Sequence, residues 1–277
     1  MQYALLNGEK SEASPALKAT CFCCNEKVIA KCGSIKVWHW SHFPKMHCDP
    51  WWENETEWHR KWKSFFPLDQ QEVVHFNEEK GEKHIADVRT FEGTIIELQN
   101  SPISQEEFKS REGFYKKLIW IVNAANFKGE FYALPFRLPP PDSELAKELE
   151  IYSPPILRRY HGGVVAPPQM CRKSQIRVME HDGLTVTYYP GKLYASNEYL
   201  RTHKIKYIEE EIDEIYDGHN FFIWKNPREV WYTSTKKVYF DFGEPVLYEL
   251  IRFNHKNHCI KIIDKLALIN TLGGKVE

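Results

Sequence analysis

The chain has 277 residues, 42% of them hydrophobic and 14% aromatic, which is ample for a packed core; the 27% charged fraction is ordinary for a globular protein and excludes a disordered polymer. The formal net charge is −1, so no global basic field draws the chain onto nucleic acid, and any contact with DNA must come from a local patch. No apolar run approaches the roughly 18 residues of a membrane span, and the N-terminus lacks a basic-then-apolar export signal, so a cytoplasmic location without membrane contact is expected.

In chain order, Gln2 to Leu6 followed by Asn7-Gly8 reads as a short strand entering a turn. Five of the seven cysteines then fall between Cys21 and Cys48. A reducing compartment keeps thiols free, so this cluster calls for a metal rather than disulfides. Cys21-x-x-Cys24 and His39-x-x-His42 offer four ligands to a structural zinc, with Cys23, Cys32, His47 and Cys48 as spare candidates. Asp49-Pro50 is suited to open a helix running to about Phe66, where Pro67 stops it. At about 100° per residue, Glu55, His59, Trp62 and Phe66 share its inner stripe, and Glu53, Glu57, Arg60 and Lys61 take the solvated side. Glu55 either pairs with His59 or Lys63 at the stripe's edge or faces a metal.

The pattern then changes to period two. Strands are expected over Glu72 to Phe76, His84 to Thr90 and Thr94 to Gln99. Ser104 and Glu107 form a capping box for a helix lasting to about Lys117, and Leu118 to Val122 reads as a strand buried on both faces. Glu97 and Gln99 share a face of their strand. A two-residue turn at Glu92-Gly93 would set Asp87 against Leu98, whereas a three-residue loop, Phe91-Glu92-Gly93, sets it against Glu97. Only the second lets Asp87 and Glu97 share a magnesium or manganese ion, and it needs a positive φ at Gly93.

The order helix, three strands, helix, strand is the αβββαβ core of the restriction-endonuclease-like, or PD-(D/E)XK, nucleases. The expected division is an N-terminal zinc-binding segment over 1–48, that nuclease core over 49–138, a Pro-rich connector over 139–170, and a C-terminal β-rich α+β region over 171–277. The connector holds a short helix near Ser143 to Glu150. The C-terminal strands fall at Ile176 to Met179, Leu184 to Tyr189, Phe221 to Trp224 and Lys237 to Phe242. Val246 to Phe253 fits strand or helix, and the region is a candidate surface for a protein partner.

The run Glu55-Thr56, His59, Lys63, then Ala86-Asp87-Val88, then Glu97-Leu98-Gln99-Asn100-Ser101, then Arg111 and Tyr115, resembles the competence protein CoiA family, as does the Cys/His cluster upstream. The resemblance covers about residues 1 to 135. It implies a Mg²⁺- or Mn²⁺-dependent nuclease acting on DNA, single-stranded DNA included, in transformation, recombination or defence against foreign DNA. Asp87 and Glu97 would be the metal ligands, Glu55 the helix carboxylate, and Gln99 would stand where most nucleases of the fold have lysine. Lys63 is a candidate for the missing positive charge, and Arg111, His59 and Ser101 for contacts to DNA; Arg111 fits a surface ion pair equally well. A neutral Gln99 and the near-zero net charge leave room for the alternative, a catalytically silent fold used for DNA binding or assembly.

Overall fold

Tyr3–Leu6 (β1) and Glu9–Glu12 (β2) form a hairpin whose two turn residues, Asn7 and Gly8, both have positive φ, +54° and +89°. That is the turn an Asn-Gly pair favours, because its twist matches the strands it joins. Lys18–Thr20 (β3), Lys27–Lys31 (β4) and His39–His42 (β5) complete an antiparallel sheet in the order β2-β1-β3-β4-β5. Val28 and Trp40 lie at the centre of its buried face.

The computed structural model describes residues 1–42, 48–78, 81–152, 169–181, 184–188, 208–255 and 257–275. They cluster into two units: Met1–Gly129 with Asn226–Glu249 and Ile263–Glu277, and Glu130–Lys225 with Leu250–Ile262. The spare zinc candidate His47 and half of the expected Pro-rich connector, residues 153–168, lie outside the described residues.

In the first unit, Glu57–Lys63 (α1) precedes Gln71–Asn77 (β6), Glu82–Arg89 (β7) and Ile95–Gln99 (β8). Gln105–Phe114 (α2) then leads to Leu118–Asn123 (β9). The first three strands pair antiparallel, and β9 runs parallel to β8. Helix α1 begins well after the expected Asp49-Pro50. The Asp49 carboxylate is taken by the Ile85 N–H (2.7 Å), His84 Nδ1 (2.9 Å) and the Trp51 N–H (3.0 Å). Thr56 caps the helix in its place, its hydroxyl accepting from the His59 N–H. Ser104 caps α2 as its sequence anticipates, accepting from the Glu107 N–H at 3.1 Å. That helix ends at Phe114, short of the expected Lys117, because Tyr115 turns extended and buries its ring.

Lys237–Asp241 (β16) pairs parallel to β9, giving the order β16-β9-β8-β7-β6, with Val246–Arg252 (β17) beside β16. Lys265–Thr271 (α5) follows in the same unit. Trp62 and Phe66 pack with Val88, Ile96, Leu98, Ile119 and Ile121, joined by Tyr239, Leu247 and Ile269. The expected boundary at residue 138 is therefore wrong, since two segments beyond it return to complete this core.

The second unit carries Phe131–Arg137 (β10), Glu144–Glu148 (α3), Leu149–Tyr152 (β11) and Gln169–Arg172 (β12). Arg177–His181 (β13), Leu184–Tyr188 (β14), Ile208–Ile215 (α4), His219–Trp224 (β15) and most of His258–Asp264 (β18) follow. Its sheet runs β10-β15-β18, with two separate antiparallel strand pairs, β11-β12 and β13-β14. Leu138, Phe221, Phe253 and Cys259 anchor its core. Among the described residues no helix is long and apolar enough to cross a membrane.

Candidate functional site

Strands β7 and β8 pair at Arg89↔Ile95 and Val88↔Ile96, and the next step of that register sets Asp87 against Glu97. The loop between them is the three-residue one: the Thr90 N–H donates to the Thr94 carbonyl, the Gly93 N–H to the Thr90 carbonyl, and Gly93 has φ +79°. Beyond Val88 the strands part, and the Leu98 N–H donates to the Asp87 carboxylate at 2.9 Å instead of to a backbone carbonyl. Alternation sends Ile96 and Leu98 toward Trp62 of α1, and Glu97 toward Arg111 of α2. A small cavity of about 70 Å³ opens at this parting, lined in part by Glu53, Glu55, His59, Asp87, Glu97 and Arg111.

Two of the carboxylates already face cations. Arg111, which is buried, donates to Glu97 Oε2 at 2.8 Å and to the Trp51 carbonyl at 2.8 Å, and also pairs with Glu107. Lys63 is fully buried, with its Nζ 2.8 Å from Glu55 and 2.9 Å from Glu72. Burial favours the neutral amine, but Glu72, Glu55 and Asp87 outweigh it and hold Lys63 protonated. Burial pushes Glu97 up to about 8 although Arg111 pulls the other way, and burial likewise raises Asp87 against His59 and Lys63. Glu97 Oε1 and Gln99 Oε1 are buried without a hydrogen-bond partner among the described residues. Gln99 donates its amide to the Ser101 carbonyl at 2.9 Å. Two neighbouring acceptor oxygens left unpaired in the interior are costly unless a donor or cation meets them.

Several residues sit elsewhere than their sequence pattern suggests. Glu55 precedes the helix rather than lying on it, and of its possible partners it takes Lys63. Glu53, expected on the solvated side, folds inward and accepts from the backbone N–H groups of Asn100 and Ser101, 3.6 Å from His59. The shift follows from residues 51–56 not being helical, which breaks the 100° phase. Glu57 is exposed, as that phase requires within α1. Arg111 is neither a surface pair nor free for phosphate: it is an interior cation. His59 is buried too, its Nε2 3.1 Å from the Leu98 carbonyl and Nδ1 2.7 Å from the Thr56 hydroxyl, while Ser101 is exposed.

Sequence reasoning missed Glu72. Its carboxylate accepts from the backbone N–H of Gln2 (2.7 Å) and Tyr3 (3.0 Å) as well as from Lys63. Burial opposes ionisation there, yet Lys63 and these donors hold it down at about 2. It has φ +44°, in the left-handed region, which the surrounding bonds must enforce.

The Cys/His cluster is real but its fourth member is not His39. Ligand atoms of Cys21, Cys24, His42 and Cys48 lie within 4.8 Å of one another, and this Cys₃His group could hold a metal such as zinc. Cys24 Sγ is 3.2 Å from His42 Nε2, and Cys21 Sγ is 3.8 Å from Cys48 Sγ. His39 and His42 both lie on β5, where a spacing of three puts them on opposite faces. His39 instead sits 2.9 Å from the Val37 carbonyl through Nδ1. The Cys23 N–H points at Cys21 Sγ at 3.4 Å. The Cys48 sulfur and then burial push the Cys21 thiol up, a preference that a bound cation reverses by stabilising thiolate. All seven cysteines are free. Among the described residues no other group of three or more Cys, His, Asp or Glu ligand atoms converges this closely, so Glu55, Asp87 and Glu97 do not form a closed triad.

No curated protein and no solved structure matches this chain. Residues 9–50 match the family described as competence protein CoiA, N-terminal domain. That stretch carries all four members of the metal cluster, so the likeness to this family rests on the N-terminal segment of the chain.

Proposed function

We propose that this protein is a metal-dependent DNA nuclease of the PD-(D/E)XK type, with a structural zinc on Cys21, Cys24, His42 and Cys48. The observation that carries the reading is the pair of unpartnered buried oxygens, Glu97 Oε1 and Gln99 Oε1, on the strand face that Asp87 joins by register. Oxygen donors of this kind suit Mg²⁺ or Mn²⁺, and Asp87, Glu97 and the Gln99 amide oxygen would hold the ion. When bound, such an ion polarises a phosphoryl oxygen and acidifies water. Gln99 is neutral and cannot act as a base. Lys63 is held protonated and supplies fixed positive charge near the carboxylates. His59, raised by Glu53, Asp87 and Glu55 against the effect of burial, is placed to exchange a proton at the cavity's edge. The family match over residues 9–50 supports a competence-related role; DNA processing in transformation is the setting proposed for this chemistry, and defence against foreign DNA is the other.

A second reading has its own observation. Arg111 and Lys63 already neutralise Glu97 and Glu55, and the carboxylates do not close on one point, as befits a silent fold used for DNA binding or assembly. A nicking assay on plasmid and single-stranded DNA with Mg²⁺ or Mn²⁺ separates the two. Cutting should require metal, vanish in Asp87→Ala and Glu97→Ala, and survive Glu57→Ala. No cutting by the parent supports the silent scaffold, and cutting by Asp87→Ala or Glu97→Ala at the parent's rate overturns the site assignment.

A further inference from the structure

A groove of about 1140 Å³ runs along β4, β5 and the loop joining them. It is larger than the roughly 300–1,000 Å³ of small-molecule sites. Four of its lining residues, Met1, Asp49, Trp52 and Ile85, also line the small cavity over the carboxylates, so the two spaces adjoin across these side chains. We propose that this groove takes a single strand of DNA and leads it to the carboxylate site.

Charge favours a polyanion. Lys31 and Lys36 line the groove and are exposed, and Lys36 donates to the Asn54 side chain at 3.1 Å. Asp49 is the one acidic residue among the described lining, and it is buried and committed to His84 and Ile85. The same lining offers apolar and aromatic surface: Ile35 is 96% and Trp52 39% exposed. Stacking on such a surface needs the flat face of a base, which a single strand offers and a duplex keeps inside its own stack. With the whole chain near neutrality, a short lysine-flanked groove also explains how DNA is bound without a broad basic face. This deepens the nuclease reading and rests on it only for what happens to the strand once it is bound.

The test is fluorescence anisotropy of the full chain with a labelled twelve-nucleotide oligothymidine and with a duplex of equal length, Ca²⁺ replacing Mg²⁺. The single strand should bind about tenfold tighter or more. Trp52→Ala should weaken it by about tenfold, with Trp52→Phe restoring most of the loss. Lys31→Ala combined with Lys36→Ala should flatten the logarithmic salt dependence by about 1.4, at about 0.7 per phosphate contact. Equal affinity for single strand and duplex, or folded groove variants that bind like the parent, would overturn the proposal. Binding as described without metal-dependent cutting would sink the nuclease reading alone; cutting that ignores the groove variants would sink the groove alone.

Discussion

Zinc in a closed structural site takes four sulfur or imidazole ligands as a tetrahedron, and Cys21, Cys24, His42 and Cys48 bring three sulfurs and one ring nitrogen within 4.8 Å of one another. Cys48→Ser and His42→Ala should therefore lower both zinc content and melting temperature, and His39→Ala should lower neither, as read by elemental analysis and thermal unfolding. Zinc lost in His39→Ala but kept in Cys48→Ser would return the ligand to the histidine. The cluster was legible in the sequence because paired cysteines and histidines at short spacing are rare by chance. The choice between His39 and Cys48 was not, because it depends on whether residues 39–42 form a turn or a strand, and only the strand separates the two imidazoles. Glu72 was hidden for a different reason. It stands in an ordinary strand pattern, and nothing local tells that a lysine nine residues back and the backbone of Gln2 and Tyr3 converge on it.

The hairpin of β7 and β8 carries the site because strand side chains alternate, so that a slip of one residue moves Asp87 to the other face. Its loop was readable from Phe91-Glu92-Gly93, since only a three-residue loop with a left-handed glycine leaves Asp87 facing Glu97. Phe91 is 94% exposed, so removing it costs no core packing. Deleting Phe91 shortens the loop inside the Thr90–Thr94 pair, so the register counted from that pair keeps Asp87 opposite Glu97, and the variant should stay folded by circular dichroism and still bind manganese. Phe91→Ala should bind like the parent too, and a folded deletion variant that loses manganese binding would refute the register argument. Helix α1 was less legible. Asp49 has the chemistry of a cap, but its tertiary partners His84 and Ile85 outbid the helix, and residues 51–56 became the loop that turns Glu53 inward.

At the scale of the molecule, the first unit is discontinuous in sequence. Asp241 of β16 accepts from the indole N–H groups of Trp58 (2.9 Å) and Trp62 (2.7 Å) and from Lys265 (2.8 Å), fixing α1 from segments late in the chain. Burial opposes its ionisation, but Lys265 and the indoles hold its carboxyl below the usual range. A fragment of residues 1–138 would expose the core around Trp62 and Ile121 where Tyr239, Leu247 and Ile269 belong. It should unfold without a cooperative transition, whereas the full chain should show one; a fragment that melts cooperatively would restore the contiguous boundary. The strand near Lys237 was visible in the sequence and Val246 to Phe253 fitted strand or helix alike, but the place of neither in the sheet was legible, since alternation reports a strand's faces and not its neighbours.

If Asp87, Glu97 and Gln99 form the proposed cation site, calorimetric titration of the zinc-loaded protein with Mn²⁺ should reveal it. Because burial raises Glu97 to about 8, a proton competes with the ion below that pH, and affinity should weaken as pH falls from 8 to 6, by up to about tenfold per unit for one released proton. One ion should bind to the parent protein with that dependence, and binding should disappear in Asp87→Asn and in Glu97→Gln. No heat of binding in the parent at pH 8, or the same affinity in both variants, would contradict it.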